Sequence, residues 1–210
     1  MPPQKKSAKK SASYHHGDLR RELLDHAARL LDSRGAEELS LRDLAKQARV
    51  SPAAPYRHFE SKEALLAALA EQAFEELETK LLKATDQNPA DPREQLLALA
   101  RAYIDLAARR PHLFRMMFSA VLGPSRIDEG IFRPCDRVYV AMVNSFAFGQ
   151  KSEWLKEADP NHQALAFWSL LHGFGTLLAD RRLDDLKLDA KGRAALLDRF
   201  LESLFTGLER

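Results

Sequence analysis

Three consecutive polar side chains, Tyr56, Arg57 and His58, lie close to a lysine, Lys62, in the first third of the chain. The hydroxyl of tyrosine and the cationic groups of arginine and lysine donate hydrogen bonds to phosphate oxygens, and arginine also bonds guanine. The role of His58 is left open by its residue type. The preceding residues are small, and an alanine among them can meet a thymine methyl group; they are Ser51, Pro52, Ala53 and Ala54. This combination predicts contact with a DNA duplex.

Two helix starts place these residues. Ser40 with Asp43 resembles a capping box, and Ser51 before Pro52 is typical of a second helix start, which we expect to run to about Phe59. Only Arg49 and Val50 separate the two helices, so they must cross sharply. The pattern predicts a helix-turn-helix, in which the first helix braces the DNA backbone and the second enters the major groove.

The starts of two helices offer further phosphate sites, because backbone N–H groups and the helix dipole favour an anion there. Ser40 and Arg42 lie at the first such start, and Lys62 lies at the start of the long helix capped by Ser61. Taken alone, Arg42 and Lys62 also fit ordinary solvated charges, and Tyr56 also fits a half-buried core residue.

Helical periodicity extends over most of the chain. A helix is predicted from Asp18 to Gly35, with a buried stripe at Leu19, Leu23, Ala27, Leu30 and Leu31, and the helix capped by Ser61 is predicted to reach about Ala84. Further helices are predicted at about 91–109, 112–121, 129–148, 161–182 and 190–207. We therefore expect an all-α fold, with a disordered basic tail at 1–13, a three-helix head at 14–62 and a larger bundle at 63–210. The tail fits either a phosphate-contacting arm or a solubilising segment.

The charge distribution and the cysteine content indicate the class of binding partner and the cellular compartment. Residues 1–62 hold 13 Lys and Arg against 8 Asp and Glu, whereas the remainder holds 19 against 22, so a polyanion is expected at the front. Cys135 is the single cysteine, which excludes an intrachain disulfide and favours a reducing compartment; it fits a small buried residue or a redox-sensing thiol. With no signal peptide and no apolar run of about 18 residues, a cytoplasmic protein without a membrane anchor is expected.

The N-terminal part resembles the tetracycline-repressor-like (TetR) family of transcriptional regulators. The family signature is matched in order over about residues 18–70 by Gly35, Ser40-Leu41-Arg42-Asp43-Leu44-Ala45, Val50-Ser51, Tyr56-Arg57-His58-Phe59 and Ser61-Lys62-Glu63-Ala64-Leu65. The resemblance implies a DNA-binding regulator, and it implies that Tyr56 and Lys62 contact phosphates.

Two positions depart from the family pattern. Arg49 stands where glycine is usual; if that position needs a positive φ, arginine costs on the order of 1 kcal/mol. Pro55 stands where a large apolar residue is common. Because a proline in the first helical turn removes only one early hydrogen bond, we expect the helix to form, with base readout of its own.

The C-terminal half carries Trp168, His172 and Gly173, a W-x-x-x-H-G pattern that resembles the C-terminal domain of one TetR subgroup. Trp168 and His172 lie on one helical face, as a core or interface pair or as ligand contacts. The family resemblance implies an unknown effector within the bundle, and the residue types suit an apolar or aromatic one. The candidate pocket residues, most of which also fit plain core, are Tyr103, Phe114, Met117, Phe118, Tyr139, Met142, Phe146, Trp168 and His172.

The last predicted helix has an apolar stripe wide enough for a partner. With the helix at 161–182 it predicts a four-helix interface between two copies, as in the family, so that a homodimer can read a palindromic operator. The stripe consists of Leu197, Phe200, Leu201, Leu204, Phe205 and Leu208.

Catalysis is the weaker interpretation. The sequence has no G-x-S-x-G and no H-E-x-x-H, Gly173-Phe174-Gly175 has two of the three glycines of a dinucleotide fingerprint, and His15-His16 lacks partners at metal-ligand spacing. We therefore expect a ligand-responsive repressor with no cofactor, no metal and no enzymatic activity. The alternative is a helical protein that binds a small molecule and does not bind DNA.

Overall fold

The computed structural model describes residues 16–87, 90–119 and 134–209. The predicted tail at 1–13 lies outside these residues. Within them the chain is almost entirely helical, which confirms the all-α prediction. The α-helices are α1 (His16–Arg34), α2 (Leu41–Gln47), α3 (Lys62–Gln87), α4 (Pro92–Arg109), α5 (Pro111–Met117), α6 (Pro134–Lys151), α7 (Pro160–Ala179) and α8 (Ala190–Leu208). Among the described residues, no helix is long and apolar enough to cross a membrane.

The head is built from α1, α2 and the start of α3. The predicted stripe of α1 is buried except at Leu30, which is half-buried, and α2 buries Leu41, Leu44 and Ala45. Gly35 ends α1 with φ +84°, and its N–H donates to the carbonyl of Leu31 at 2.9 Å, as a left-handed C-terminal residue does. Local sequence signals therefore determine the first half of the head.

The segment after α2 corrects the prediction of a helix from Ser51 to Phe59. The structure has a turn followed by a short 3₁₀-helix, Pro55–Arg57. The N–H of Ala54 donates to the carbonyl of Ser51 at 2.9 Å, a three-residue step. Pro55 has no N–H to donate to that carbonyl, so the α-helical ladder breaks in the middle of the segment. The proline therefore changes the type of helix as well as removing a hydrogen bond.

Helix α3 belongs to both halves of the molecule. It packs on α1 in the head and on α4, α5 and α6 in the body. The apolar cores of the two halves form one continuous cluster of buried side chains. A displacement of α3 relative to the body must therefore be transmitted to the head.

The corner between α4 and α5 forms a second joint with the head. The Arg110 guanidinium lies 2.9 Å from a carboxylate oxygen of Asp32 in α1 and 3.8 Å from one of Glu76 in α3. One residue beyond Pro111, the ring of His112 lies so close to Gly35 that a Cβ there would be 3.2 Å from its Nδ1. Both contacts connect the end of α1 to the same corner.

The stripe on α8 corrects the predicted interface in part. Leu197, Leu201 and Phe205 are buried inside the subunit, because α8 packs its inner face on α4 and α7. They cannot form the surface that meets a partner. Phe200 is exposed, and two further members, Leu204 and Leu208, are half-buried.

Candidate functional site

The candidate DNA-contacting surface is a short stretch of exposed side chains held by two buried ones. Tyr56 is 49% exposed and Arg57 is exposed, while Pro55 and Phe59 are buried beneath them. The Arg20 guanidinium of α1 lies 5.3 Å from the centre of the Phe59 ring, which fixes the end of the segment against α1. Of the other predicted contacts, Ser51, Pro52 and Ala53 are exposed, and Ala54 and His58 are half-buried.

The turn before this surface has a positive φ at Arg49, the backbone conformation considered for this position from the family pattern. Arg49 has φ +54°, a left-handed conformation that costs a residue with a Cβ about 1 kcal/mol. The turn is closed by the N–H of Val50, which donates to the carbonyl of Ala45 at 3.0 Å. An arginine here adds an exposed cation beside residues 51–59, which we call the recognition segment.

The start of α2 is capped by Ser40, whose side chain also bonds that of Asp43 in place of the backbone bond of a full capping box. The N–H of Asp43 donates to Ser40 Oγ at 3.2 Å, and that hydroxyl donates to the Asp43 carboxylate at 3.1 Å. Hydrogen bonds from Lys46 and then from Ser40 hold the pKa of Asp43 below its usual value. The Asp43 carboxylate thus forms an ion pair with the Lys46 ammonium group, 3.0 Å away. Arg42 is exposed at the same helix start.

Lys62 has a structural partner that the sequence did not reveal. Its ammonium group donates to the carbonyl of Glu37 at 2.8 Å, which ties the start of α3 to the link between α1 and α2. An ammonium group has three N–H donors. The bond to Glu37 therefore orients the lysine and leaves donors for a phosphate.

In the body, three of the predicted pocket residues form a hydrogen-bonded chain. Trp168 Nε1 donates to the Tyr103 hydroxyl at 3.2 Å, and that hydroxyl lies 3.0 Å from His172 Nδ1. Because the indole can only donate, the Tyr103 proton is free to point at His172, which then accepts through Nδ1 and carries its proton on Nε2. Burial raises the pKa of Tyr103 and lowers that of His172, so both side chains are neutral at pH 7.

Aromatic rings surround this chain and line a cleft. The Phe118 ring centre lies 4.7 Å from that of His172 and 5.5 Å from that of Phe74 in α3. Beside them is a cleft of about 220 Å³, and its lining consists of Phe114, Arg115, Phe118, His172, Thr176 and Asp180. The cleft thus offers an apolar wall, the Nε2–H of His172 and an ion pair at its edge.

The remaining predicted pocket residues differ in position. Tyr139 lies beside the cluster, with its ring 6.2 Å from that of Trp168 and its hydroxyl donating to the carbonyl of Asn161 at 3.1 Å. Phe146 belongs to another aromatic group, because it packs on Phe167 at 5.6 Å in the buried core. Met117 and Met142 are buried.

Sequence reasoning did not identify Phe74, Arg115, Thr176 or Asp180 as neighbours of the cluster. A signal existed for Thr176, because it follows His172 by four residues and so continues the face that begins at Trp168. Arg115 was not detectable in this way, since its partner Asp180 is 65 residues away along the chain. The side chain of Cys135 lies outside the described residues.

Comparison with known proteins agrees with this arrangement. The profile described as "Bacterial regulatory proteins, tetR family" matches residues 23–69, and the profile "Tetracyclin repressor-like, C-terminal domain" matches residues 96–204, more than half of the chain. A relative, the uncharacterized HTH-type transcriptional regulator YobS of Bacillus subtilis, is 27% identical over 157 residues, which are 75% of this chain and 77% of YobS.

Two solved structures are similar over nearly the whole length. One is a protein of unknown function from Rhodococcus sp. RHA1, with a TM-score of 0.80, 31% identity and coverage of 95% of this chain and all of that one. The other is a TetR-family transcriptional regulator from Pectobacterium atrosepticum, with a TM-score of 0.72, 26% identity and coverage of 92% and 95%. The chain described here belongs to the TetR family of bacterial regulatory proteins and is a DNA-binding transcriptional regulator.

Proposed function

We propose that the protein is a ligand-responsive repressor that acts as a homodimer on a palindromic operator. The observation that carries this proposal is the exposed recognition segment, in which Tyr56 and Arg57 stand beside three small exposed residues, Ser51, Pro52 and Ala53. Small residues let the backbone approach base edges, and the two larger side chains reach phosphate or guanine. In this proposal residues 14–62 bind DNA and residues 63–210 bind the effector and the second subunit.

Some of the proposed contacts position the protein on the phosphate backbone, and others read the base edges. Tyr56, Lys62 and Arg42, with the amides at the start of α2 behind Ser40, hold the phosphate backbone. Arg57, Ala53 and Ala54 approach the base edges, and His58 lies at the margin of the surface. Because a 3₁₀-helix is narrower than an α-helix, Pro55 gives this chain its own base readout.

The effector that fits the cleft is apolar or aromatic and accepts one hydrogen bond. Phe114 and Phe118 supply the wall, and His172 Nε2 supplies a donor that has no partner within the described part of the chain. A ligand here displaces Phe118, whose ring meets Phe74 of α3 edge to face. If it favours the displaced state, it lowers operator affinity by the ratio of its affinities for the two states.

The proposed activity is binding alone, with no cofactor and no catalysis. We assign the protein to the cytoplasm, since its DNA target and its single cysteine suit a reducing compartment.

Selection of bound duplexes from a random pool tests the function. A repressor of this type enriches a palindromic motif whose half-sites are about one helical turn apart or a multiple of it. Enrichment of a motif without two-fold symmetry would refute the homodimeric mode of binding. Failure to enrich any motif would refute sequence-specific recognition by the segment at Tyr56 and Arg57.

The role of Lys62 is tested on the selected duplex. Lys62→Ala should weaken binding to all duplexes alike and reduce the slope of log affinity against log salt by about one unit, because one phosphate contact is lost. Lys83→Ala, an exposed lysine at the far end of α3, is the matched control and should leave both values unchanged. Loss of affinity at a single base position would show that Lys62 reads sequence instead.

A further inference from the structure

A second cleft shares Arg115 with the aromatic one. It is larger, about 580 Å³, and is bounded by the end of α4, the start of α5 and the connection from α7 to α8. Its lining consists of Ala108, Pro111, His112, Arg115, Leu178, Ala179, Arg181, Leu183, Asp184, Lys187, Leu188 and Arg193. Four of these residues are permanently cationic at pH 7, and only Asp184 is acidic.

Two of the four cations are neutralised within the subunit. Arg115 donates to the Asp180 carboxylate at 2.6 Å, and Arg181 donates to that of Asp184 at 2.7 Å. Across the described residues, Lys187 and Arg193 have no carboxylate within ion-pair distance. Arg193 donates to the carbonyl of Leu188 at 2.9 Å. As far as the structure describes the chain, the cleft therefore has two positive charges without a counter-charge.

The backbone holds these charges at an energetic cost. Arg181 has φ +58° and Lys187 has φ +48°, left-handed conformations that glycine would adopt without strain. Lys187 ends a short 3₁₀-helix, Asp184–Leu186, with its N–H donating to the carbonyl of Asp184 at 2.9 Å. Both strained residues are cations that line the cleft. Glycine at either position would relieve the backbone strain, but it would also remove the positive charge.

We propose that this cleft is a binding site for a small polyvalent anion of the phosphate-ester or pyrophosphate class. Lys187 and Arg193 supply charge-assisted hydrogen bonds to the anion, while Arg115, paired with Asp180, lines the boundary with the aromatic cleft. The site is separate from DNA binding, and its occupation requires no operator.

The anion site adjoins the joint between body and head. Pro111 and His112 line the cleft, and His112 also packs against Gly35 at the end of α1. The neighbouring Arg110 is paired with Asp32. An anion that draws the α7–α8 connection towards α5 therefore acts on the corner that holds the head.

Isothermal titration of the full-length protein with sodium pyrophosphate, at constant ionic strength set by NaCl, tests the proposal. We expect saturable binding to one site per subunit. The double variant Lys187→Asn/Arg193→Gln should bind at least about tenfold more weakly, because two charge-assisted contacts are lost. Asparagine is chosen at position 187 because it tolerates the left-handed backbone.

The matched control is Arg182→Asn/Lys191→Gln, which removes two exposed cations from the same region without touching the cleft lining. It should keep the wild-type affinity. Equal weakening in both double variants, or no saturable binding by the wild type, would overturn the proposal. If the first double variant has lost its cooperative thermal unfolding, the single variant Arg193→Gln decides, with an unchanged affinity counting against the site.

Discussion

Arg49 combines a backbone constraint with a surface charge. Its positive φ closes the turn between α2 and the recognition segment, and its side chain is exposed. Glycine would meet the backbone requirement more easily, so arginine at this position lowers the stability relative to glycine. Its charge, next to the segment that carries Tyr56 and Arg57, is the property that glycine lacks.

Arg49→Gly should raise the free energy of unfolding by up to about 1 kcal/mol, because it removes the left-handed penalty. It should also weaken binding to duplexes of any sequence, since a cation near the phosphates is lost. Chemical denaturation measures the first effect and titration of the selected duplex the second. Arg49→Ala separates the two, because it removes the charge and keeps the Cβ; a stability gain in that variant would show that strain is not the cause.

His172 gives stability a dependence on pH. Burial lowers its pKa in the folded protein, so below about pH 6.5 the unfolded chain binds the proton more readily than the folded one. The stabilisation is complete above that pH and is lost as the pH falls through the folded pKa. As the pH is lowered from 7.5 to 5, the melting temperature of the wild type should therefore fall more steeply than that of His172→Gln. Parallel curves would show that His172 is not the responsible group.

The recognition segment shows how one residue sets the type of an element. Ser51 and Pro52 are correct start signals, but Pro55 lacks the N–H that an α-helix needs at its centre, and a 3₁₀-helix forms over Pro55–Arg57. The segment is thereby shorter and narrower than the helix that its start signals predict.

Pro55→Ala restores the missing donor and should convert residues 53–58 to an α-helix. The measurement is the Cα chemical shifts of these residues by NMR, which should move towards helical values. Pro52→Ala is the matched control, since that proline lies where no helical hydrogen bond is required, and it should leave the shifts unchanged. Unchanged shifts in Pro55→Ala would mean that packing of the flanking residues, and not the missing N–H, sets the conformation.

Sequence reasoning succeeded where the signal was local. Gly35 after a helix and Ser40 three residues before Asp43 are recognised within one turn of the chain, and both appear in the structure as predicted. The bond between Tyr103 and His172, by contrast, joins residues 69 positions apart. Such contacts depend on how α4 and α7 pack, which periodicity does not specify.

At the scale of the whole molecule, α7 and α8 carry exposed apolar side chains that suit the homodimer proposed above. Leu165 and Leu177 on α7 are exposed, and a Cβ at Gly173 between them would have no neighbour within 4 Å among the described residues. Phe200 on α8 is 39% exposed and packs edge to face on Phe174. Periodicity showed a broad stripe on α8 but could not show which side α4 and α7 cover.

If the proposed homodimer uses this face, Leu177→Glu/Phe200→Glu should shift the protein from dimer to monomer, with a dissociation constant raised at least about a hundredfold, because charges would be buried between the two copies. Sedimentation equilibrium measures the change. Leu186→Glu, at an apolar residue 56% exposed on the α7–α8 connection, is the control and should stay dimeric. An unaltered dimer in the double variant would place the interface on another face.

The chain from Trp168 through Tyr103 to His172 also has an optical consequence. The protein has two tryptophans, and the other, Trp154, bonds Glu209 on a different part of the bundle. The Trp168 indole lies 5.9 Å from the ring of His172, which lines the aromatic cleft. A molecule entering the aromatic cleft changes the surroundings of this one fluorophore, so the emission of Trp168 serves as a built-in reporter of occupancy without any added dye.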